Sequence, residues 1–205
     1  MLYKKLSHNP HQRTFNTPSW TYWDNVFTPQ ELNFLIESLS KTDLKDSVVS
    51  TSDSSYSLNR DIRRSKVYFL NFDNSSAWIF EKFNNIIENI NERFYNFDLN
   101  GYWNIQYSEY HAQDSGEYNF HMDFGFGNSS GVTGIRKLSL AMLLNDEFEG
   151  GEFQINLSSE NNPQTIETRK NRAILFPSFL IHRVAPVTWG VRKSLVIWVI
   201  GPKFR

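Results

Sequence analysis

A mainly β chain is predicted, folded as a jelly roll (double-stranded β-helix) with N-terminal supporting α-helices. Two observations carry this: helical patterning is confined to the first hundred residues, and many short β-rich runs punctuated by Gly, Asn, Asp and Pro follow it. Composition agrees, since 17 Phe, 9 Tyr and 6 Trp among 205 residues can fill the space between two sheets with rings. No internal repeat or linker is visible, so a single domain is expected over 1–205, with helical support over about 20–100 and the jelly-roll core over about 100–205.

The elements read in order as follows. The first twenty or so residues, with His8, Pro10, His11 and Pro18, lack periodicity and are expected to run as a surface arm. Thr28-Pro29-Gln30-Glu31 reads as a capping box with Pro at the first helical position, and Leu32, Leu35, Ile36 and Leu39 follow at helical spacing, which predicts a helix over about 28–40. Ser47 to Asn59 is rich in Ser and Asp and reads as a surface loop, followed by the β-rich run Lys66 to Asn71. Trp78, Ile79, Phe83, Ile86, Ile87, Ile90 and Phe94 mark a second amphipathic helix that should pack on a sheet face. Strands are then expected at about 102–110, 118–123, 136–144, 152–157, 164–168, 172–176 and 193–200.

Bulk chemistry narrows the function classes. Lys and Arg number 21 against 22 acidic residues, a net charge of -1, which gives no electrostatic footprint for nucleic acid. With no Cys, disulfides, thiolate metal sites and a cysteine nucleophile are all absent, so a metal would have to be held by His and carboxylate, and there are five His. Met1 to Pro10 has no long apolar stretch, and no run approaches the roughly 18 apolar residues of a membrane span. The expected location is cytoplasmic.

Three groups of residues carry candidate chemistry. In an extended strand, residues two apart share a face, so His121 and Asp123 could meet one metal ion, or could equally be a surface pair near a turn. His182 lies in a strand-like run, Ala173 to Ile181, where a polar side chain is either a ligand or a buried histidine satisfied by a carbonyl. Together, two His and one carboxylate make a facial triad that leaves three iron positions open. Arg192 lies ten positions past His182, with Ser194 on the same strand face. A planar, permanently charged fork beside a hydroxyl suits a buried carboxylate, whereas an Arg at an exposed strand start would need no ligand.

His121-x-Asp123, then His182-Arg183-Val184-Ala185-Pro186-Val187, Gly190 and Arg192-x-Ser194 resemble the iron(II) and 2-oxoglutarate-dependent dioxygenase superfamily, in particular its prolyl-4-hydroxylase-like and PKHD-type hydroxylases of phage or bacterial type. The run Ile105 to Tyr110 and Gly116 to His121 is similar to the family's approach to the first ligand, with Tyr110 matching a tyrosine that binds 2-oxoglutarate. Arg136 to Asp146 and Glu149-Gly150-Gly151-Glu152-Phe153 resemble the following strands and turn. The resemblance is clear over about 100–205 and looser before that, at the capped helix and Ile62 to Val67. One departure is Asn171-Arg172, where relatives commonly have Gly before the strand carrying the distal His.

The resemblance implies an Fe(II)/2-oxoglutarate-dependent dioxygenase with His121, Asp123 and His182 as iron ligands and Arg192, Ser194 and Tyr110 holding the far carboxylate of 2-oxoglutarate. It implies O₂ as co-substrate, with ascorbate as a further candidate cofactor. The reaction implied is hydroxylation of prolyl residues or a related amino-acid or peptide substrate, through oxidative decarboxylation to succinate and an iron(IV)-oxo species. A demethylase of the same superfamily would carry a second Arg six positions beyond the first, and that position is Trp198. A catalytically silent jelly-roll metal- or ligand-binding module is the alternative of another class. Tyr102-Trp103, Phe124 and Phe126 are candidate pocket walls, and the loops 47–59 and 128–134 are candidate lids.

Overall fold

The computed structural model describes residues 17–50, 56–124, 134–157 and 162–203. Most of the expected N-terminal arm, the centre of the 47–59 loop, nearly all of the 128–134 loop and Phe126 lie outside them.

Both helices form where the sequence places them. The first, α1 (Pro29–Ser40), opens on the capping box: Glu31 N donates to Thr28 Oγ1 (3.3 Å), and Thr28 N donates to Glu31 Oε2 (2.8 Å). Its stripe of Leu32, Leu35 and Leu39 is buried. The second, α2 (Ala77–Ile90), buries Ile79, Phe80, Phe83, Ile86, Ile87 and Ile90, then widens into a π turn over Asn91–Tyr95. Asn96, in the left-handed region, ends it, and the Asn91 amide bonds Phe97 O and N at 2.9 Å each to close the exit.

Two antiparallel sheets carry the rest. The major sheet runs in the order β1 (Thr21–Asp24), β13 (Arg172–Pro177), β9 (Ile135–Leu143), β15 (Val187–Gly201), β7 (Asn104–His111), β6 (Lys66–Asn71) and β2 (Lys45–Asp46), with β10 (Phe148–Gly150) paired to the start of β15. The minor sheet runs β12 (Gln164–Ile166), β11 (Phe153–Asn156), β14 (Ile181–Val184), β8 (Glu117–His121), β5 (Arg63–Arg64). A short ladder joins β3 (Val49–Ser50) to β4 (Tyr56–Ser57), so the Ser-rich segment read as a loop contains strand pairing.

Strand alternation sorts the major sheet into two cores. One face, with Ile105, Tyr107, Leu138, Leu140, Met142, Ala173, Leu175, Leu195, Ile197 and Val199, joins the buried stripes of α1 and α2. The other turns Tyr110, Ile174 and Phe176 toward Phe153, Ile155 and Val184 of the minor sheet. Central strands covered on both sides explain why 173–177 is uniformly buried.

Two expectations need correction. The apolar run 173–181 is not one strand: Pro177 ends β13, the chain turns through Ser178 to Leu180, and His182 lies on β14 in the opposite sheet. The strand expected at 193–200 begins at Val187, because its first residues pair with β10 rather than with the main ladder. The Asn171 departure is accommodated, since its φ is 67°, a conformation Asn tolerates. Its amide also donates to Phe27 O (2.7 Å) and accepts from Phe27 N (3.0 Å), which ties the turn to the segment entering α1.

Candidate metal and co-substrate site

The jelly roll brings the three predicted metal-side residues together. His121 ends β8 and His182 sits directly across the ladder on β14, so their rings approach to 4.3 Å between centroids. Asp123 follows β8 by two residues. Its Oδ1 lies 3.6 Å from His121 Nε2 and its Oδ2 lies 3.5 Å from His182 Nε2. One candidate ligand atom from each residue falls within 4.8 Å of the others.

Backbone carbonyls set the tautomers. His121 Nδ1 lies 2.8 Å from Asn119 O and His182 Nδ1 lies 2.9 Å from Leu180 O. A carbonyl only accepts, so each Nδ1 carries the proton and each Nε2 turns its lone pair toward Asp123. Burial pushes the His182 pKa below its ordinary value, outweighing the pull of Asp123, and the ring is neutral near pH 7. Burial opposes ionisation of Asp123, while the positive charge of Arg136 favours it. Ser139 Oγ donates to Asp123 Oδ2 at 2.7 Å and is itself 2.9 Å from Ser178 Oγ. Two neutral imidazole nitrogens and a carboxylate oriented by a hydroxyl form a donor set that fits a divalent first-row metal.

Along β15, Arg192, Ser194, Val196 and Trp198 share the inward face and line one cavity of about 440 Å³ with His121, Asp123 and His182. Arg192 pairs across the ladder with Tyr110, and Ser194 with Ser108. Arg192 is 3% exposed, donates from Nη1 to Ser194 Oγ (3.1 Å), and leaves its buried Nε without a partner. Among the described residues it meets no carboxylate, and burial pushes its pKa down. A buried guanidinium without a counter-ion is costly, and a carboxylate is the kind of group that would relieve it. Gly151, at φ +65°, permits the approach: a Cβ there would stand 2.9 Å from Arg192 Cδ.

The cavity walls differ in part from those expected. Tyr102 stacks on Phe80 of α2 at 5.6 Å and Trp103 is mostly exposed, so neither faces the cavity. Phe124 is half-buried and does not line it. Tyr118, Phe153, Phe176 and Trp198 supply the rings instead. Trp198 was legible in principle from its even offset to Arg192. Arg63, Ser139 and Ser178 carry no comparable local signal.

The fold and this cluster define a class: a double-stranded β-helix with a His-Asp-His group able to hold a metal and a buried arginine sharing its cavity. Residues 105–200 match the family model of the 2OG-Fe(II) oxygenase superfamily. A PKHD-type hydroxylase of Synechococcus sp. (strain CC9311) is 33% identical over 90 residues, covering 43% of this chain and 38% of the relative. One from Psychrobacter sp. (strain PRwf-1) is 42% identical over 64 residues, 30% of this chain and 24% of the relative. The chain thus spans well under half the length of these curated relatives.

Among solved structures, a Pseudomonas putida prolyl-4-hydroxylase superposes with a TM-score of 0.69 at 15% identity, covering 90% of this chain and 94% of that one. A Trichoplax adhaerens prolyl hydroxylase, solved with a hypoxia inducible factor oxygen degradation domain peptide fragment, gives 0.66 at 19% identity over 91% and 85%. These likenesses show the jelly-roll fold. Over residues 105–200 the chain is similar to the 2OG-Fe(II) oxygenase superfamily, and the curated relatives it resembles are PKHD-type hydroxylases.

Proposed function

We propose that the chain is an iron(II)- and 2-oxoglutarate-dependent hydroxylase acting on prolyl residues or a related amino-acid or peptide substrate, and that 1–205 works as one catalytic unit in the cytoplasm. The observation that carries this reading is the shared cavity, with His121, Asp123 and His182 at one end and the uncompensated Arg192 at the other. No helix among the described residues is long and apolar enough to cross a membrane.

His121, Asp123 and His182 would hold the metal on one side, leaving its other positions to co-substrate and O₂. Bound iron and 2-oxoglutarate supply oxidative decarboxylation coupled to insertion of an oxygen atom into an unactivated C–H bond. The chain's residues supply position and environment. Arg192, Ser194 and Tyr110 would bind the far carboxylate, fixing the direction in which the co-substrate enters. Asn119 and Leu180 carbonyls keep both imidazoles in the ligating tautomer, and Ser139 fixes the carboxylate. Phe153, Phe176 and Tyr118 wall the cavity against water.

The test is succinate release from 2-oxoglutarate by protein reconstituted anaerobically with iron(II) and then exposed to O₂, together with a mass screen of proline-containing peptides and free amino acids for one added oxygen. Iron-dependent release that His182→Ala abolishes, with a raised 2-oxoglutarate requirement in Arg192→Ala, is the expected result. A wild type that binds neither iron nor 2-oxoglutarate would leave a silent binding module instead.

A further inference from the structure

The cavity contains a second buried guanidinium that the co-substrate does not use. Arg63, on β5, lies across the ladder from Tyr118 and is only 5% exposed. Its Nε donates to Ser65 Oγ at 2.8 Å, and Ser65 in turn meets Ser47 Oγ at 3.0 Å. Its guanidinium carbon stands 4.6 Å above the centre of the Tyr118 ring, and that ring stacks on His121 at 3.5 Å and 14°. Guanidinium, phenol and imidazole thus form three layers ending on a candidate metal ligand.

Several other arginines have carboxylate partners. Arg64 pairs with Glu117, Arg60 with Asp46 at 3.3 Å, and Arg172 with Asp24 at 2.6 Å. No carboxylate meets Arg63 among the described residues. The same side chain also lines an outer groove of about 300 Å³, where Arg60, Arg64 and Lys66 outnumber Asp46 and Asp114. Once Arg192 is given to the co-substrate tail, Arg63 is the further arginine of the cavity that meets no carboxylate among the described residues.

We propose that Arg63 binds a carboxylate of the prime substrate, which makes that substrate a free amino acid or an acidic peptide. The inference rests on the hydroxylase reading above. A backbone carbonyl would leave the buried charge uncompensated, whereas a carboxylate neutralises it and matches the planar fork. The stack places Arg63 one ring beyond His121, on the far face of Tyr118. The carboxylate is either the α-carboxylate of a free amino acid or an acidic side chain beside the target residue of a peptide.

Matched ligand pairs test this. Wild type, Arg63→Gln and Arg63→Lys, each loaded with Zn(II) and 2-oxoglutarate, are titrated with L-proline against L-prolinamide, L-leucine against L-leucinamide, and blocked Ala-Pro-Asp against Ala-Pro-Asn. In wild type the carboxylate of at least one pair is expected to bind roughly tenfold tighter than its amide twin. Arg63→Gln should erase that preference and Arg63→Lys retain part of it, with 2-oxoglutarate affinity unchanged in both as the control for folding. A preference within the free amino acids assigns the α-carboxylate, and one confined to the peptides assigns the side chain. If no carboxylate outbinds its twin, or if the preference survives in Arg63→Gln, the proposal is overturned while the hydroxylase reading stands. A wild type that takes up no 2-oxoglutarate overturns both.

Discussion

The two faces of the major sheet are built from the same strands to opposite rules. Toward α1 and α2, β7, β9 and β15 present Ile105, Tyr107, Leu138, Leu140, Met142, Leu195, Ile197 and Val199, a face almost without polar demands. Toward the minor sheet the same strands present Gln106, Ser108, Tyr110, Ser139, Arg192, Ser194 and Trp198, nearly all buried, with Arg192 Nε and Trp198 Nε1 left unpartnered. Stability is concentrated on the first face and chemistry on the second. Because side chains alternate with a period of two, the division is maintained residue by residue along each strand.

Substitutions on one face should therefore leave the other's property intact. The largest effect is expected from His182→Ala, which should reduce iron-dependent succinate release to background while thermal unfolding shifts little. A large loss of stability would mean that the inward face also holds the fold together. Leu140→Ala, on the helix side, should cost about 2–5 kcal/mol in denaturant unfolding while leaving the dissociation constant for 2-oxoglutarate unchanged in the folded protein. A matching loss of co-substrate affinity would break the division.

Arg192→Ala should weaken 2-oxoglutarate binding by about 30-fold or more by calorimetry. The apo protein should become no less stable, because the variant removes a buried charge that has no counter-ion. Ser139→Ala should lower metal affinity by roughly 10–100-fold, measured by chelator competition, since Asp123 loses the hydroxyl that orients it. The smallest effect concerns neither face. Asp24, held below its ordinary pKa chiefly by its hydrogen bond to Arg172, joins β1 to β13. A depressed carboxylate contributes stability above its unfolded pKa and loses it as the pH falls, so the excess acid sensitivity of wild type over Asp24→Asn should appear only below about pH 4.

Much of this was legible in the sequence because the signals are local. Thr28 to Glu31 announces α1, alternation places most of the later strands, and His121, Asp123, His182 and Arg192 stand out as polar groups with little reason to be where they are. What was not legible depends on distant partners. A segment buried on both faces has no periodicity, so the apolar residues from Ala173 to Phe176 do not show which sheet the chain joins next, and only Pro177 marks the break before Ser178. Ser139 and Ser178 look like ordinary strand and turn residues until Asp123 is brought between them. Arg63 belongs to the run Ile62 to Val67, where nothing local separates it from Arg64, and only its ladder with Tyr118 turns it inward.

The position of β15 bears on how the site comes into being. It lies between β9 and β7, both of which precede it in the chain, and it carries the Arg192 wall of the cavity. Until residues 187–201 leave the ribosome, β7 and β9 lack their shared neighbour and expose two unpaired edges, and the pocket has no floor. A nascent chain halted before Val187 would already contain His121, Asp123 and His182 but neither Arg192 nor Ser194. Closure of the sheet and completion of the site are thus one late event, and such truncated chains should be prone to aggregation.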